Sequence, residues 1–241
     1  MKKLQLSIVI PVYNEKENIL KTLTEIKKHI QMPHEILIVY DFDKDATLPI
    51  VKPLLKKNPH IKLAKNIIKR GPSGAIRTGF LKARAPYVLV TMADLCDDLS
   101  QVNTMLTLML DNVDIVCPSR YCKGGKQQLK SSLKVLAPRT AGFLLRKLTG
   151  IPTYDPTNSY KLYSKKLLDS LMLTSSVSFS VTLEIIVKAY IKGYKIIEIP
   201  TVWTDRQHGK TNFKLGRSLI YYFPWFLYAL VHSNPIYKKG F

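Results

Sequence analysis

Apolar residues along this chain follow two periods that alternate. Residues 4–10 (LQLSIVI) are a near-continuous apolar run, the pattern of a buried strand. Ile19, Leu20, Leu23, Ile26 and Ile30 then recur at helical spacing, with Asn14 and Glu17 placed as a capping box before them. A second strand is predicted over 35–40 and a polar loop (DFDKDAT) from Asp41. A Pro-containing helix follows, ending near Asn58, and a weaker third strand covers 61–65. Gly71 opens a GPSG turn and a helix through about Ala83. A fourth strand (87–91), a helix (about 100–110) and a fifth strand (113–117) complete the alternation.

Strand–helix alternation up to Arg120 predicts a parallel sheet wrapped by helices. Beyond it the pattern loosens. A helix over 131–148 is broken or restarted at Pro138, and a strand covers 159–163. A helix over 181–192, a strand over 194–199, a basic polar loop over 204–215 and an aromatic-rich segment over 218–232 follow. No internal repeat or low-complexity linker interrupts the chain, so one domain with a more elaborate second half is expected. The best candidate membrane span, 220–231, is interrupted by Pro224 and falls short of the roughly 18 apolar residues a crossing needs. The N-terminal apolar run is cut by Ser7 and Pro11 and is read as a strand, not a leader.

Composition changes this picture in one respect. The 241 residues carry a net charge of +20, and the charge is uneven. Residues 1–120 hold 18 Lys+Arg against 12 Asp+Glu, and residues 121–241 hold 19 against 5. The second half therefore suits an anionic partner: nucleic acid, a phosphorylated ligand or an anionic membrane. Cys96, Cys117 and Cys122 are odd in number and lack metal-site spacing, as in a reduced, intracellular chain.

The stretch YVLVTMADLCDD ends a strand and places Asp94, Asp97 and Asp98 past its carboxyl end, where open α/β sheets bind ligands. Such hard oxygen donors suit magnesium or manganese held together with substrate phosphates. The same residues also fit a solvated acidic turn in which Asp98 or Ser100 caps the next helix. Tyr13, Glu15, Asp41 and Asp43 follow two other parallel strands and belong at the same edge, where they suit a base and ribose. GPSG lacks the Gly-Lys-Ser/Thr of a P-loop, so an ATPase is not indicated. Arg77, Arg139, Arg146, Lys165 and Lys166 read as helix-face charges, and His208 as a solvated loop residue.

Taken in order, SIVIPVYNEKENI, VYDFDKDAT, GPSGAIRTGF, MADLCDD, CPSRYCKGGK, DPTNSYKLY and VTLEIIVKAYIKGYKIIEIPTVWTDRQHGKTNF resemble the motifs of family 2 glycosyltransferases. The resemblance is strongest to the dolichyl- or polyprenyl-phosphate mannose and glucose synthases. It implies an α/β nucleotide-diphospho-sugar transferase fold (GT-A type): a mostly parallel central sheet flanked by helices, with a C-terminal amphipathic aromatic helix. Residues 1–216 would be the catalytic domain, with 1–120 the nucleotide-sugar half and 121–216 the acceptor half. Residues 217–241 would be an interfacial helix and tail.

By the same resemblance, Pro11, Tyr13, Glu15, Tyr40, Asp41, Asp43, Met92, Ala93 and Asp94 bind a GDP- or UDP-hexose. Asp94, aided by Asp97 or Asp98, holds Mg or Mn. Arg120, Lys161, Arg206, Lys210 and Lys214 meet donor and acceptor phosphates, and Asp94, Arg120 and Arg206 carry catalysis. The implied reaction is inverting transfer to a polyprenyl phosphate at the cytoplasmic face of a membrane, with peripheral association. A phosphate acceptor is already ionised and needs no general base.

Three positions depart from the family pattern. Met92 replaces the first Asp of Asp-X-Asp, though a branch reading Met-Ala-Asp-Leu-Ser-Asp-Asp is closer. Lys161 replaces the usual Arg, and Asn212 stands where Lys is usual. Two other readings stay open. One is transfer to a saccharide hydroxyl, with Asp155, Asp97 or Asp98 as base. The other is a non-catalytic nucleotide- or nucleic-acid-binding domain. Nucleic acid is not the expected partner, because the aromatics gather in the tail and are not interleaved with the basic residues.

Overall fold

The alternation is realised as a seven-stranded, mostly parallel sheet. The computed structural model describes residues 3–128, 136–206 and 215–233. Its strands are β1 (Leu6–Val12), β2 (His34–Tyr40), β3 (Ile61–Lys65), β4 (Tyr87–Val90), β5 (Ile115–Ser119), β7 (Lys161–Ser164) and β8 (Ile196–Pro200). They lie in the order β3-β2-β1-β4-β7-β5-β8, and a separate parallel pair joins β6 (Lys126–Gln128) to β9 (Val202–Thr204). The helices are α1 (Ile19–His29), α2 (Leu48–Leu55), α3 (Pro72–Lys82), α4 (Val102–Leu110), α5 (Leu136–Thr149), α6 (Lys165–Ser170), α7 (Ser180–Ile191) and α8 (Leu215–Ser233).

Side chains alternate across the pleat, so one apolar strand feeds two cores. Ile8 and Ile10 of β1 join Ile36 and Ile38 of β2 under α1, α2 and α4. Val9 joins Leu37, Val39 and Val90 under α3 and α7 on the other face. Register follows: Val9 pairs with Leu37 on one side and Val90 on the other. α3 lies close on β1 because Gly79 carries no side chain; a Cβ there would stand 2.2 Å from Val9 Cγ1.

One strand runs against its neighbours. β7 is antiparallel to both β4 and β5 and sits between them. Sequence spacing predicts the strand but carries no information about its direction. The capping box expected at Asn14 does not form. α1 begins at Ile19, and Asn14 takes a left-handed conformation, φ 56°. Its N–H donates to the Asp45 carboxylate (3.1 Å), and its Oδ1 accepts from Ala46 N (3.0 Å). A partner 31 residues away therefore displaces the local cap. Pro138 lies in the first turn of α5, where a missing N–H costs nothing. Residues 131–135 of the expected helix lie outside the described residues.

Candidate active site

Parallel strands β1, β2 and β4 end on the same edge, and their following loops build a cleft there. Asp45 and Thr47 shape its first wall. Besides receiving Asn14 N–H, Asp45 Oδ1 accepts from Thr47 N (2.8 Å), and Thr47 Oγ1 accepts from Glu15 N (3.0 Å). This buried knot turns the chain after Pro11 outward. Tyr13 is left 53% exposed, edge-on to Phe42 at 5.6 Å between ring centroids. An open ring beside a second aromatic is a stacking platform. The DxT spacing of Asp45 and Thr47 is the signal in the sequence that marks the knot.

Asp41 is committed to the scaffold: it accepts from Asn66 Nδ2 (2.7 Å) and Gly71 N (2.8 Å), fixing the entry to α3. Asp43 turns outward to an exposed ion pair with Lys65 (2.6 Å). Tyr40 is half-buried against the α2 side of the core. Glu15 reaches across the cleft to Arg206 Nη2, an ion pair between residues 191 apart in the chain, and also accepts from Asn18 Nδ2 (2.9 Å).

The loop after β4 forms the floor, with Ala93 buried in it and Met92 half-buried. Asp94 Oδ1 accepts from Cys96 N (3.2 Å) across left-handed Leu95. Asp97 Oδ2 accepts from Thr91 Oγ1 (2.9 Å) and Met92 N (3.1 Å). Desolvation and then the Asp94 carboxylate push the Asp97 pKa up, against those hydrogen bonds and the nearby Arg120. Two carboxylates thus share one small volume at a raised electrostatic cost. That donor set fits a hard divalent cation, which takes few protein oxygens when it also meets phosphates. Among the described residues no three His, Cys, Asp or Glu gather into an all-protein cage. Asp98 turns away to cap the next turn, accepting from Ser100 N (3.1 Å), so the capping alternative describes Asp98 and the cation alternative suits Asp94 and Asp97.

The opposite wall comes from the second half. Arg120 follows β5 and is bound to Asp155 through Nε (2.7 Å), Nη2 (2.8 Å) and its backbone N (3.1 Å). Its guanidinium lies over the rings of Tyr121 (5.1 Å) and Trp203 (5.9 Å). Burial opposes the charge, but Asp155 outweighs it and holds the pKa above its ordinary value. Asp155 is fully buried and its two oxygens are engaged, so it is placed as a holder of Arg120 and not as a base. Tyr121, Asp155 and Trp203 each lie in a family-like motif, but no motif says that the three meet; the box forms when β9 pairs with β6. Thr204 N then donates to Cys96 O (3.2 Å), tying β9 to the floor loop.

Lys161 corrects an expectation. It does not face a phosphate: it is fully buried, and its ammonium donates to the carbonyls of Asp155, Pro156 and Asn158. β7 lies in the middle of the sheet with both faces covered, so its first residue is buried. Lys210, Lys214, His208 and Asn212 lie outside the described residues. Arg146 is more than a helix-face charge, since its guanidinium lies over the Tyr154 ring at 4.4 Å and near Glu198 (3.8 Å).

Comparison with known proteins bears on the family and the fold. Residues 7–172 match the model of the glycosyl transferase family 2. A dolichol-phosphate mannosyltransferase from Pyrococcus furiosus is 28% identical over 227 residues, spanning 91% of this chain and 62% of the relative. The chain thus covers under two thirds of that protein's length. A polyprenol monophosphomannose synthase from Mycolicibacterium smegmatis is 26% identical over 208 residues, spanning 84% of this chain and 78% of the relative. Glucosyl-3-phosphoglycerate synthase from Mycobacterium tuberculosis, solved with Mn2+, uridine diphosphate and glucosyl-3-phosphoglycerate, has the same fold. Its TM-score is 0.72 at 14% identity, covering 96% of this chain and 81% of that one. With more than half of its length under the family model and the motifs in order on a matching fold, the chain belongs to glycosyl transferase family 2.

Proposed function

We propose that this protein moves a hexose from a GDP- or UDP-sugar to a polyprenyl phosphate, with inversion at the anomeric carbon and a divalent cation on the donor. The observation that carries the choice of acceptor is Asp155: its carboxylate is consumed by Arg120, leaving that wall with guanidinium donors and no free carboxylate to act as a base. A saccharide hydroxyl needs a base there, and Asp98 is spent on a cap. Asp97, the other candidate, lies in the floor bound to Thr91 and Met92. A phosphate oxygen attacks without surrendering a proton.

In this reading Tyr13 stacks on the nucleobase, and Glu15 holds Arg206 over the cleft. Asp94, with Asp97, would hold Mg or Mn, which would neutralise diphosphate charge. Arg120 presents the remaining guanidinium edge to phosphate, a planar donor suited to forked contact. As the bond to the acceptor oxygen forms and the bond to the diphosphate breaks, negative charge moves onto the leaving group. Fixed cations favour that movement. No nucleic acid is needed to explain the basic half.

The surface supports peripheral contact with an anionic membrane face, the cytoplasmic one. α8 packs Tyr222, Trp225, Phe226 and Ala229 inward, and Trp225 Nε1 donates to Ser175 Oγ (2.8 Å). Its other side exposes Ile220 (70%), Phe223 (59%), Leu227 and Val231. Adjacent α5 exposes Leu136, Phe143, Leu144 and Leu148 beside Arg139 and Lys147. Apolar residues beside cations are the composition of an interfacial surface. Among the described residues no helix is long and apolar enough to cross a membrane.

The test is to incubate the protein with GDP- and UDP-hexoses, Mg or Mn, and a short polyprenyl phosphate. A sugar–lipid product is expected. Transfer to free saccharides but not to lipid phosphate would overturn the acceptor; lack of any metal-dependent nucleotide binding would overturn the enzyme reading.

A further inference from the structure

A lysine buried in the middle of a sheet is rare, because an unpaired charge there is costly. Lys161 is fully buried, the first residue of β7, in register with Val90 at the end of β4. It therefore stands one strand from the loop that carries Asp94. An ammonium has three N–H donors. Here they converge on the carbonyls of one short turn: Asp155 O (3.2 Å), Pro156 O (3.3 Å) and Asn158 O. A neutral amine keeps only two donors and would orphan one buried carbonyl. The far end of the turn is pinned to β5 by Asn158 Nδ2, which donates to Pro118 O (3.0 Å). The near end carries the Asp155 carboxylate, which takes the Arg120 fork.

We propose that Lys161 is a positioning residue for Arg120. Its ammonium sets the 155–158 turn, the turn sets the Asp155 carboxylate, and the carboxylate sets the angle at which the guanidinium meets a phosphate. This rests on the glycosyl-transfer reading of the cleft. A purely structural lysine would need only to fill space and satisfy carbonyls, and its loss would lower stability without acting through Arg120.

The deciding experiment is a double-mutant cycle read in kcat. Lys161→Met keeps length and volume but donates nothing. It is expected to lower kcat about tenfold to a hundredfold, as a small misplacement of a charged group does. The nucleoside diphosphate Kd, measured by calorimetry, should stay within about threefold, since the donor wall is built elsewhere. In an Arg120→Ala background the same change should cost less than about twofold more, because residues acting through one group are not additive. Equal losses in both backgrounds would overturn the proposal.

A readout independent of transfer is the Arg120 Nε–Hε resonance in an 15N spectrum. Lys161→Met should shift it and speed its exchange with water; an unchanged resonance would overturn the proposal. Should the wild type form no sugar–lipid product, the transfer reading fails, while this resonance still decides whether Lys161 sets Arg120. If the Met variant does not fold, Lys161→Gln, which keeps two N–H donors, carries both measurements with the same outcomes.

Discussion

Two buried carboxylates in this protein bind an arginine through the same three donors, at opposite edges of one sheet. At the amino-terminal edge Glu35 accepts from Arg84 through Nε (3.0 Å), Nη2 (2.8 Å) and backbone N (3.0 Å). Lys62 (2.9 Å) and Ser7 (2.8 Å) complete that cluster. At the carboxyl-terminal edge Asp155 accepts the same three groups from Arg120. The difference lies on the far side of each guanidinium. Arg84 is 63% exposed and faces bulk water, whereas Arg120 is 15% exposed and lies between Tyr121 and Trp203, within electrostatic reach of Asp97. One pair staples strands; the other, in the function proposed above, aims a cation. A carboxylate–arginine fork is thus not evidence of function by itself, and its surroundings decide.

The contrast is sharpest at Asp94, which belongs only to the carboxyl-terminal edge. Asp94→Asn should lower transfer by about a thousandfold or more while the melting temperature hardly changes, because it weakens charge stabilisation and not packing. Near-normal turnover would remove the cation role.

Next in size, Arg120→Ala should lower kcat about 10²- to 10³-fold, the scale of one lost transition-state donor. Arg84→Ala should leave the kcat of the folded fraction within about twofold. A comparable loss of turnover in both would erase the distinction between stapling and aiming.

Glu35→Gln sharpens it from the other side. Removing the charge from a buried pair should cost about 3 kcal/mol in urea unfolding at neutral pH, with turnover of the folded protein preserved. Burial acts to raise the Glu35 pKa, but hydrogen bonds from Arg84, Lys62 and Ser7 prevail and lower it from 4.5 to about 2. The folded pKa lies below the unfolded one. Its contribution, about 3 kcal/mol by linkage, is therefore complete above about pH 4.5 and lost as pH falls toward 2. Wild type and Glu35→Gln should converge in stability at the acid end of that window; parallel curves would refute the assignment.

The smallest effect lies outside both edges. Phe223→Asp on the exposed side of α8 should weaken partition onto anionic vesicles about tenfold, the scale of one apolar side chain withdrawn from an interface. Unfolding free energy should be unchanged. Sedimentation with vesicles measures this, and unaltered partition would remove α8 from the membrane face.

Much of this was legible in the chain. The first five strands and their helices appear within a few residues of their expected bounds, because a doubly buried strand must be apolar throughout and a helix must repeat its apolar face. The acidic loop at Asp94 falls past β4 as expected. What was missed depends on distant partners. Asn14 looked like a cap because Glu17 follows it, yet Asp45 claims its N–H. Lys161 looked like a phosphate ligand because the family usually carries a cation there, yet β7 turns it inward.

Sequence alone therefore determined the first five strands and their helices, the edge on which the loops gather, the family, and the residue types available there: carboxylates after β4 and arginines after β5 and β9. Those properties follow from short-range periodicity and from the rule that parallel strands end together. Tertiary structure alone decided which charged group faces the cleft and which is consumed in holding another. Glu15 and Arg206 meet across 191 residues, and Asp155 is spent on Arg120. Lys161 serves three carbonyls because an antiparallel strand sits between two others. Side-chain direction and partnership depend on strand pairing far along the chain, and no local pattern encodes them.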